Sequence, residues 1–223
     1  MRTVKNQLQH VYEESLFTSF GPAQDLMLKA RKFAENLNLL GISISFSEAS
    51  VLRFLVHLSQ CKKFVEIGTL TGFSALALLQ GLSQDGELWT FEKNPEHAKL
   101  AKEILDSFIS QSDQKIQVIV GDAETQLPSI EGSGPFDGIF IDGNKAAYGR
   151  YLNWAEKNIK QGGLIIADNV FLEGRVWGEK GEKFSDKQIN VMKEFNLRLS
   201  DPNKYLFSLL PTSEGLIAAR KLF

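Results

Sequence analysis

The chain has 223 residues, 43% of them hydrophobic and 23% charged, which suits one soluble globular domain with a sizeable core. A net charge of −2 without any Lys/Arg block favours neither nucleic acid nor an anionic membrane as partner. The single cysteine, Cys61, excludes an internal disulfide and fits a reducing compartment; no histidine flanks it, so it carries no nucleophile signature. The segment Met1 to His10 lacks the apolar core of a signal peptide, and no window approaches about 18 uninterrupted apolar residues. The expected location is the cytoplasm.

Residues 7–40 read as two helices. Leu8, Val11, Tyr12, Ser15 and Leu16 mark one stripe; after Gly21-Pro22, the set Leu26, Met27, Ala30, Phe33, Ala34 and Leu37 marks another. Such stripes are more often packing than chemistry, so residues 1–45 are expected to form a helical cover or dimer-forming extension on a core of residues 46–223. Ile42-Ser43-Ile44-Ser45 reads as a short extended segment, and Ser47 and Glu48 open a helix that carries Leu52, Leu55, Val56 and Leu58.

From Lys63 onward strands and helices alternate. Strand-like runs are Phe64–Ile67, Leu88–Phe91, Ile116–Val120, Gly138–Ile141 and Leu164–Ala167, with helical stretches at 73–83, 95–109, 123–130 and 148–160. This order predicts an α/β fold with a parallel sheet and helices on both faces. Near-continuous apolar runs such as Leu164-Ile165-Ile166-Ala167 fit strands buried on both sides. A helix over 185–199 is followed by runs at 205–210 and 216–219, whose short connection makes them an antiparallel hairpin. The predicted architecture is a Rossmann-like, seven-stranded, mostly parallel sheet with a C-terminal hairpin and extra N-terminal helices.

The organising stretch is residues 64–74, where an apolar run ends at Glu66 and Gly68 and Gly72 bracket a turn into a helix. Glycine lets a ligand approach the backbone, and the helix aims free N–H groups at it. The Gly-x-x-x-Gly spacing is neither the dinucleotide fingerprint nor a Walker loop, and a plain strand-to-helix turn would look the same.

Strand ends add information, because ligands of open parallel sheets bind beyond them. The five strands are followed or closed by Glu66, Glu92, Asp122, Asp142 and Asp168. Glu92 lies where an acidic group binds both hydroxyls of a ribose, which implies a nucleoside-containing ligand; a surface glutamate ending a strand is the plainer reading. Asp142, Asp168 and Asn169 are hard oxygen donors suited to Mg²⁺, Mn²⁺ or Ca²⁺, although an Asp-Asn pair also caps turns. His10, His57 and His97 fall on presumed helices away from these ends, leaving no zinc set.

Taken together, three motifs resemble the cation-dependent, S-adenosylmethionine-using O-methyltransferases of the caffeoyl-coenzyme A and catechol group. They are Val65-Glu66-Ile67-Gly68-Thr69-x-Thr71-Gly72-x-Ser74, then Phe136-Asp137-x-Ile139-Phe140-Ile141-Asp142-x-x-Lys145-x-x-Tyr148, then Gly162-Gly163-x-Ile165-x-x-Asp168-Asn169. The likeness runs from about residue 20 to the C-terminus and includes Glu214-Gly215-Leu216. It implies that Asp142, Asp168 and Asn169 hold the divalent metal. For the cofactor it implies Ile44 and Ser45 at the methionine end, Gly68 and Ser74 at its amino and carboxylate groups, and Glu66, Thr69 and Gly72 in the turn. Glu92 would take the ribose, Asp122 and Ala123 would edge the adenine, and Asp142 would border the same site. Lys145 stands where the family has its proton-accepting lysine, and a homodimer is expected on the same ground. Gly143-Asn144 departs from the family's usual residues, and Leu172 stands where many plant members have Trp, which speaks against a coenzyme A thioester.

The resulting expectation is methyl transfer to one of two vicinal hydroxyls of a small aromatic acceptor. A phenol of pKa near ~10 needs help to ionise, which a cation binding both oxygens supplies. Lys145 would accept the proton if a nearby cation depressed its pKa; the alternative is a salt bridge to Asp142. Asn169, Leu172 and Trp177 are expected in the acceptor wall. A nucleotide-dependent oxidoreductase and a non-catalytic cofactor-binding regulator are the other readings.

Overall fold

The structure, a computed structural model, describes Tyr12, Leu16 and residues 21–212 and 214–223. The first predicted helical stripe, Tyr12 and Leu16 apart, lies outside the described residues. The sheet is seven-stranded, and its strands are β1 (Lys63–Ile67), β2 (Glu87–Glu92), β3 (Lys115–Val120), β4 (Phe136–Ile141), β5 (Ile159–Ala167), β6 (Tyr205–Leu210) and β7 (Leu216–Lys221). Their order is β3-β2-β1-β4-β5-β7-β6. β1 to β5 are mutually parallel, and β7 runs antiparallel between β5 and β6, as the short 211–215 connection requires.

Seven α-helices among the described residues accompany it: α1 (Gln24–Asn36), α2 (Phe46–Leu58), α3 (Phe73–Gly81), α4 (Pro95–Ile109), α5 (Ala123–Gln126), α6 (Tyr148–Asn158) and α7 (Asp186–Leu199). Strand alternation sorts the core onto the two faces. Val65, Ile67, Trp89, Phe91, Ile139 and Ile141 pack with Tyr148, Trp154 and Phe195 of α6 and α7. Phe64, Leu88, Phe140 and Ile166 pack with Met27, Leu52, Leu76 and Leu105 of α1 to α4. The central strands are buried on both sides as predicted, whereas edge strand β3 is partly exposed along its length.

Three local expectations change. The extended segment starts one residue later than expected: Ile42 ends a 3-10 turn over Leu40–Ile42, and extended Ser43 leads to extended Ser45, which caps α2 in a reciprocal capping box with Glu48. The helix predicted over 123–130 stays α-helical only to Gln126 and continues as a 3-10 turn, Leu127–Ser133, because Pro128 has no N–H to extend the ladder. The helix expected to reach 160 stops at Asn158, where β5 begins. α1 is tied to the glycine turn by the Thr71 hydroxyl, which donates to the Ala30 carbonyl at 2.9 Å.

Among the described residues no single helix is long and apolar enough to cross a membrane. The bent pair Gln24–Asn36 and Leu40–Leu58 passes on length and composition, yet its Met27, Ala30, Leu52 and Val56 are buried in the core.

Candidate active site

The strand order reverses between β1 and β4, and the crevice beyond their carboxyl ends is where an open parallel sheet holds ligands. A cavity of about 770 Å³ occupies it. Gly68 and Leu70 line it from the first turn, Glu92, Asn94 and His97 from the end of β2, and Gly121, Asp122 and Ala123 from the end of β3. Asp142, Gly143, Asn144 and Lys145 follow β4, Asn169 follows β5, and Gly41, Ile42, Tyr151, Lys183, Phe184 and Glu214 also line it.

The glycine turn is shaped by contacts that only glycine permits. Gly68 has φ +100°, and a Cβ there would stand 2.1 Å from the Asp142 carbonyl oxygen, so β1 and β4 approach each other at this point without a side chain between them. The N–H groups of Gly68 and Thr69 donate to the Phe91 carbonyl at 3.0 and 3.2 Å, which joins the turn to β2. Gly72, φ +90°, opens α3 from beside Ala101 and Leu105 of α4 and is a structural member of the turn, off the cavity wall.

Glu92 closes the other side of the turn. One oxygen accepts the Leu70 N–H at 2.8 Å and the other the Asn94 N–H at 2.8 Å. His97 Nδ1 lies 3.7 Å from Glu92 Oε1, and its Nε2 is 3.2 Å from the Asn94 amide nitrogen. The sequence reading placed His97 away from the strand ends. α4 instead starts at Pro95, so its first turn brings His97 into the cavity. Asp122 caps α5 through the Glu124 N–H at 3.0 Å and pairs with Lys93 at 3.1 Å.

Glu66 is not at the rim. It shares the face of Phe64, opposite Thr90, and is fully buried beneath the turn. The Thr90 hydroxyl donates to it at 2.5 Å, with the Thr69 hydroxyl 2.5 Å further along the chain of contacts. Burial pushes Glu66 up to about 7 against the opposing effect of the Ser74 and Thr90 hydroxyls. Thr69 and Ser74 are likewise buried, so these three side chains support the turn from below. Ile44 packs in the core and Ser45 Oγ is committed to the cap of α2; Gly41 and Ile42, just upstream, reach the cavity instead.

Asp142, Asp168 and Asn169 do come together at the ends of β4 and β5, which are neighbours in register. Asp168 is 3% exposed, and its Oδ1 is buried without a hydrogen-bond partner. Burial, then the charges of Asp142 and Glu48, hold its carboxyl well above the usual carboxylate range. Glu48, fixed by the capping box at the head of α2, was not singled out as a site residue by the sequence. Lys145 donates to Asp142 Oδ1 at 2.8 Å and to the Tyr148 hydroxyl at 2.9 Å. Burial pulls the Lys145 pKa down, but Asp142 and the Tyr148 oxygen more than offset it, and the net shift is upward. Lys145 is thus an ammonium group in a salt bridge with Asp142, the alternative that the sequence left open. Among the described residues no three His, Cys, Asp or Glu side chains converge as a metal cluster; the oxygen set is two carboxylates and one amide.

Two acceptor-wall expectations are corrected. Positive φ values at Asn169, Leu172, Glu173 and Gly174 curl the segment after β5, which turns Leu172 into the core, where it is fully buried. Trp177 is 58% exposed, stacks edge-on against Phe171 at 5.1 Å and donates to Glu179 at 2.9 Å, outside the cavity lining. Phe184 and Lys183, which the sequence did not single out, line the cavity.

A family profile described as O-methyltransferase matches residues 18–222. The chain belongs to this family. It is 32% identical over 198 residues to a catechol O-methyltransferase of Niastella koreensis, covering 88% of this chain and 87% of that one. It is 33% identical over 169 residues to a catechol O-methyltransferase of Mycobacterium tuberculosis, covering 76% and 74%. Among solved structures, the O-methyltransferase TomG from Streptomyces achromogenes, in complex with SAM, superposes with a TM-score of 0.83 at 27% identity over 96% and 95% of the two chains. This O-methyltransferase is thus an enzyme of the methyl-transferring kind, which decides against the oxidoreductase and the non-catalytic regulator.

Proposed function

We propose that this O-methyltransferase moves the methyl group of S-adenosylmethionine, with the help of a divalent cation, onto one of two vicinal hydroxyls of a small aromatic acceptor. The observation that carries the reading is Asp142 beside Lys145 in the cavity that Gly68 and Glu92 also line, with the buried Asp168 and its unpartnered oxygen behind it at the end of the neighbouring strand. A relative solved with SAM and two relatives described as catechol O-methyltransferases support it.

The residues fit both groups. An uncompensated carboxylate oxygen, a neighbouring carboxylate and the Asn169 amide form a hard donor set for Mg²⁺ or Mn²⁺. The bare backbone at Gly68 and the Glu92 carboxylate suit a nucleoside with a charged amino-acid end. When bound, S-adenosylmethionine supplies a methyl group on a sulfonium and the cation supplies positive charge that eases ionisation of an adjacent phenol.

The chain's own groups then have these roles. Glu92 would hold the ribose hydroxyls, while Asp122 and Ala123 would border the base. Asn144 fits the same edge, since it lines the cavity and its side chain caps the turn before α6. Asp142, Asp168 and Asn169 would hold the cation and thereby orient the diol. With Asp142 drawn to another positive charge, the Lys145 ammonium would first release a proton to solvent, and its neutral Nζ would then take the hydroxyl proton. Phe184 and Ile42 would exclude water from the acceptor ring. A homodimer belongs to the same reading through the family resemblance, and sedimentation velocity measures it.

A panel of catechol, caffeate and a flavonoid diol, each beside its single-hydroxyl analogue, tests the acceptor class with labelled S-adenosylmethionine. Label is expected in the vicinal diols only. Equal labelling of the single-hydroxyl compounds would overturn the two-oxygen reading.

A further inference from the structure

We infer that Tyr148 is a positioning residue, whose hydroxyl fixes the Lys145 side chain and ties it to the backbone of the two strand ends that carry Asp142 and Asp168. The inference deepens the role given to Lys145 above and rests on it.

The geometry follows from a short turn. Lys145–Ala147 is a 3-10 turn leading into α6, and in a 3-10 turn side chains three residues apart lie over one another. Lys145 Nζ accordingly lies 5.1 Å from the centroid of the Tyr148 ring and 2.9 Å from its hydroxyl oxygen. The ring itself is fully buried, edge-on to Phe195 at 5.2 Å and tilted against Tyr151 at 6.3 Å. Its direction is therefore held by packing against Phe195 of α7 and Tyr151 of α6 as well as by its polar contacts.

The roles in the polar contacts are forced. The Tyr148 hydroxyl lies 2.9 Å from the Asp168 carbonyl oxygen and 3.2 Å from the Ile141 carbonyl oxygen. Carbonyls only accept, so the one phenolic hydrogen is spent on them. The phenol oxygen is left to accept, and the ammonium group of Lys145 is the donor in reach. Ile141 precedes Asp142 directly, and its carbonyl also accepts the Asp168 N–H at 3.0 Å. One hydroxyl thus joins the end of β4, the end of β5 and the lysine. Among the described residues Lys145 directs two N–H bonds, at Asp142 Oδ1 and Tyr148, which leaves its third position, a lone pair in the neutral amine, for the cavity it lines.

A phenylalanine at this position keeps the ring, its packing and its face toward Nζ, and loses only the hydroxyl. The test is a double-mutant cycle on the full chain with S-adenosylmethionine, catechol and Mg²⁺ at saturation. Tyr148→Phe is expected to lower kcat about tenfold to a hundredfold, the range of a hydrogen bond to a charged group. The Kd for S-adenosylhomocysteine and the KM for catechol should stay within about twofold, which also reports that the variant folds. In a Lys145→Met background the same change should add nothing, because its effect runs through the lysine. A Tyr148→Phe kcat equal to wild type, or a loss that multiplies in the double variant, would overturn the inference. Full activity of Lys145→Met alone would instead contradict the role of the lysine.

Discussion

Glu92 reaches back from the end of β2 to accept the Leu70 N–H at 2.8 Å, so that one carboxylate spans the second strand and the glycine turn after the first. Its other oxygen accepts the Asn94 N–H at the start of α4. Two backbone N–H groups thus hold the carboxylate at the cavity wall. Glu92→Ala is expected to weaken S-adenosylhomocysteine binding by about tenfold to a hundredfold, the worth of charged hydrogen bonds to a ribose together with a loosened turn. Titration calorimetry on the unliganded protein measures it, and an unchanged Kd would remove Glu92 from the cofactor site.

Glu66 predicts a pH effect on stability. Its folded-state value, pushed up to about 7 by burial, stands above the ordinary 4.5, so the folded chain keeps a proton that the unfolded chain releases. Stability should therefore fall as pH rises from about 4.5 through 7, and stay reduced above that. Glu66→Gln removes the titration and should be the more stable protein at pH ~8 by on the order of 2–3 kcal/mol. Urea unfolding of both proteins from about pH 5 to pH 8 compares the slopes. Parallel profiles would contradict the buried-carboxylate account.

Asp168 makes the complementary case. A nearly buried carboxylate with an unpartnered oxygen, facing the charges of Asp142 and Glu48, is costly when ionised. Its raised folded-state value means that the cost grows as pH rises above the unfolded carboxylate range. Asp168→Asn is expected to raise the unfolding free energy of the ligand-free chain by about 1 kcal/mol or more at neutral pH. The same change should weaken Mn²⁺ binding at least about tenfold, since an amide is a neutral and poorer donor. Thermal unfolding and calorimetric Mn²⁺ titration read the two effects separately. A variant that is less stable and binds Mn²⁺ as before would refute both.

Much of this was legible before the fold was known, and the reasons are local. β5 was readable because the part of a strand buried on both faces is near-continuously apolar, as Leu164-Ile165-Ile166-Ala167 is. Asp142, Asp168 and Asn169 were readable because polar residues that end such strands gather where the sheet holds its ligands. Glu66 and Glu92 gave the same signal yet differ in place. Strand alternation puts Glu66 opposite Thr90 under α3, and spacing does not say which helix covers a face. His97 was hidden by helical periodicity, which marks the face of a helix but not that its first turn overhangs the cavity. Leu172 and Trp177 were misplaced because the chain after Asn169 runs through left-handed conformations at non-glycine residues. No residue pattern announces these.

The most direct measurement of the central claim is methyl transfer from labelled S-adenosylmethionine to catechol in the presence of EDTA, followed by a Mg²⁺ titration. Transfer should vanish with the chelator while S-adenosylhomocysteine still binds, and return as Mg²⁺ exceeds it; Asp142→Ala should stay inactive throughout. Undiminished transfer in EDTA would contradict the account.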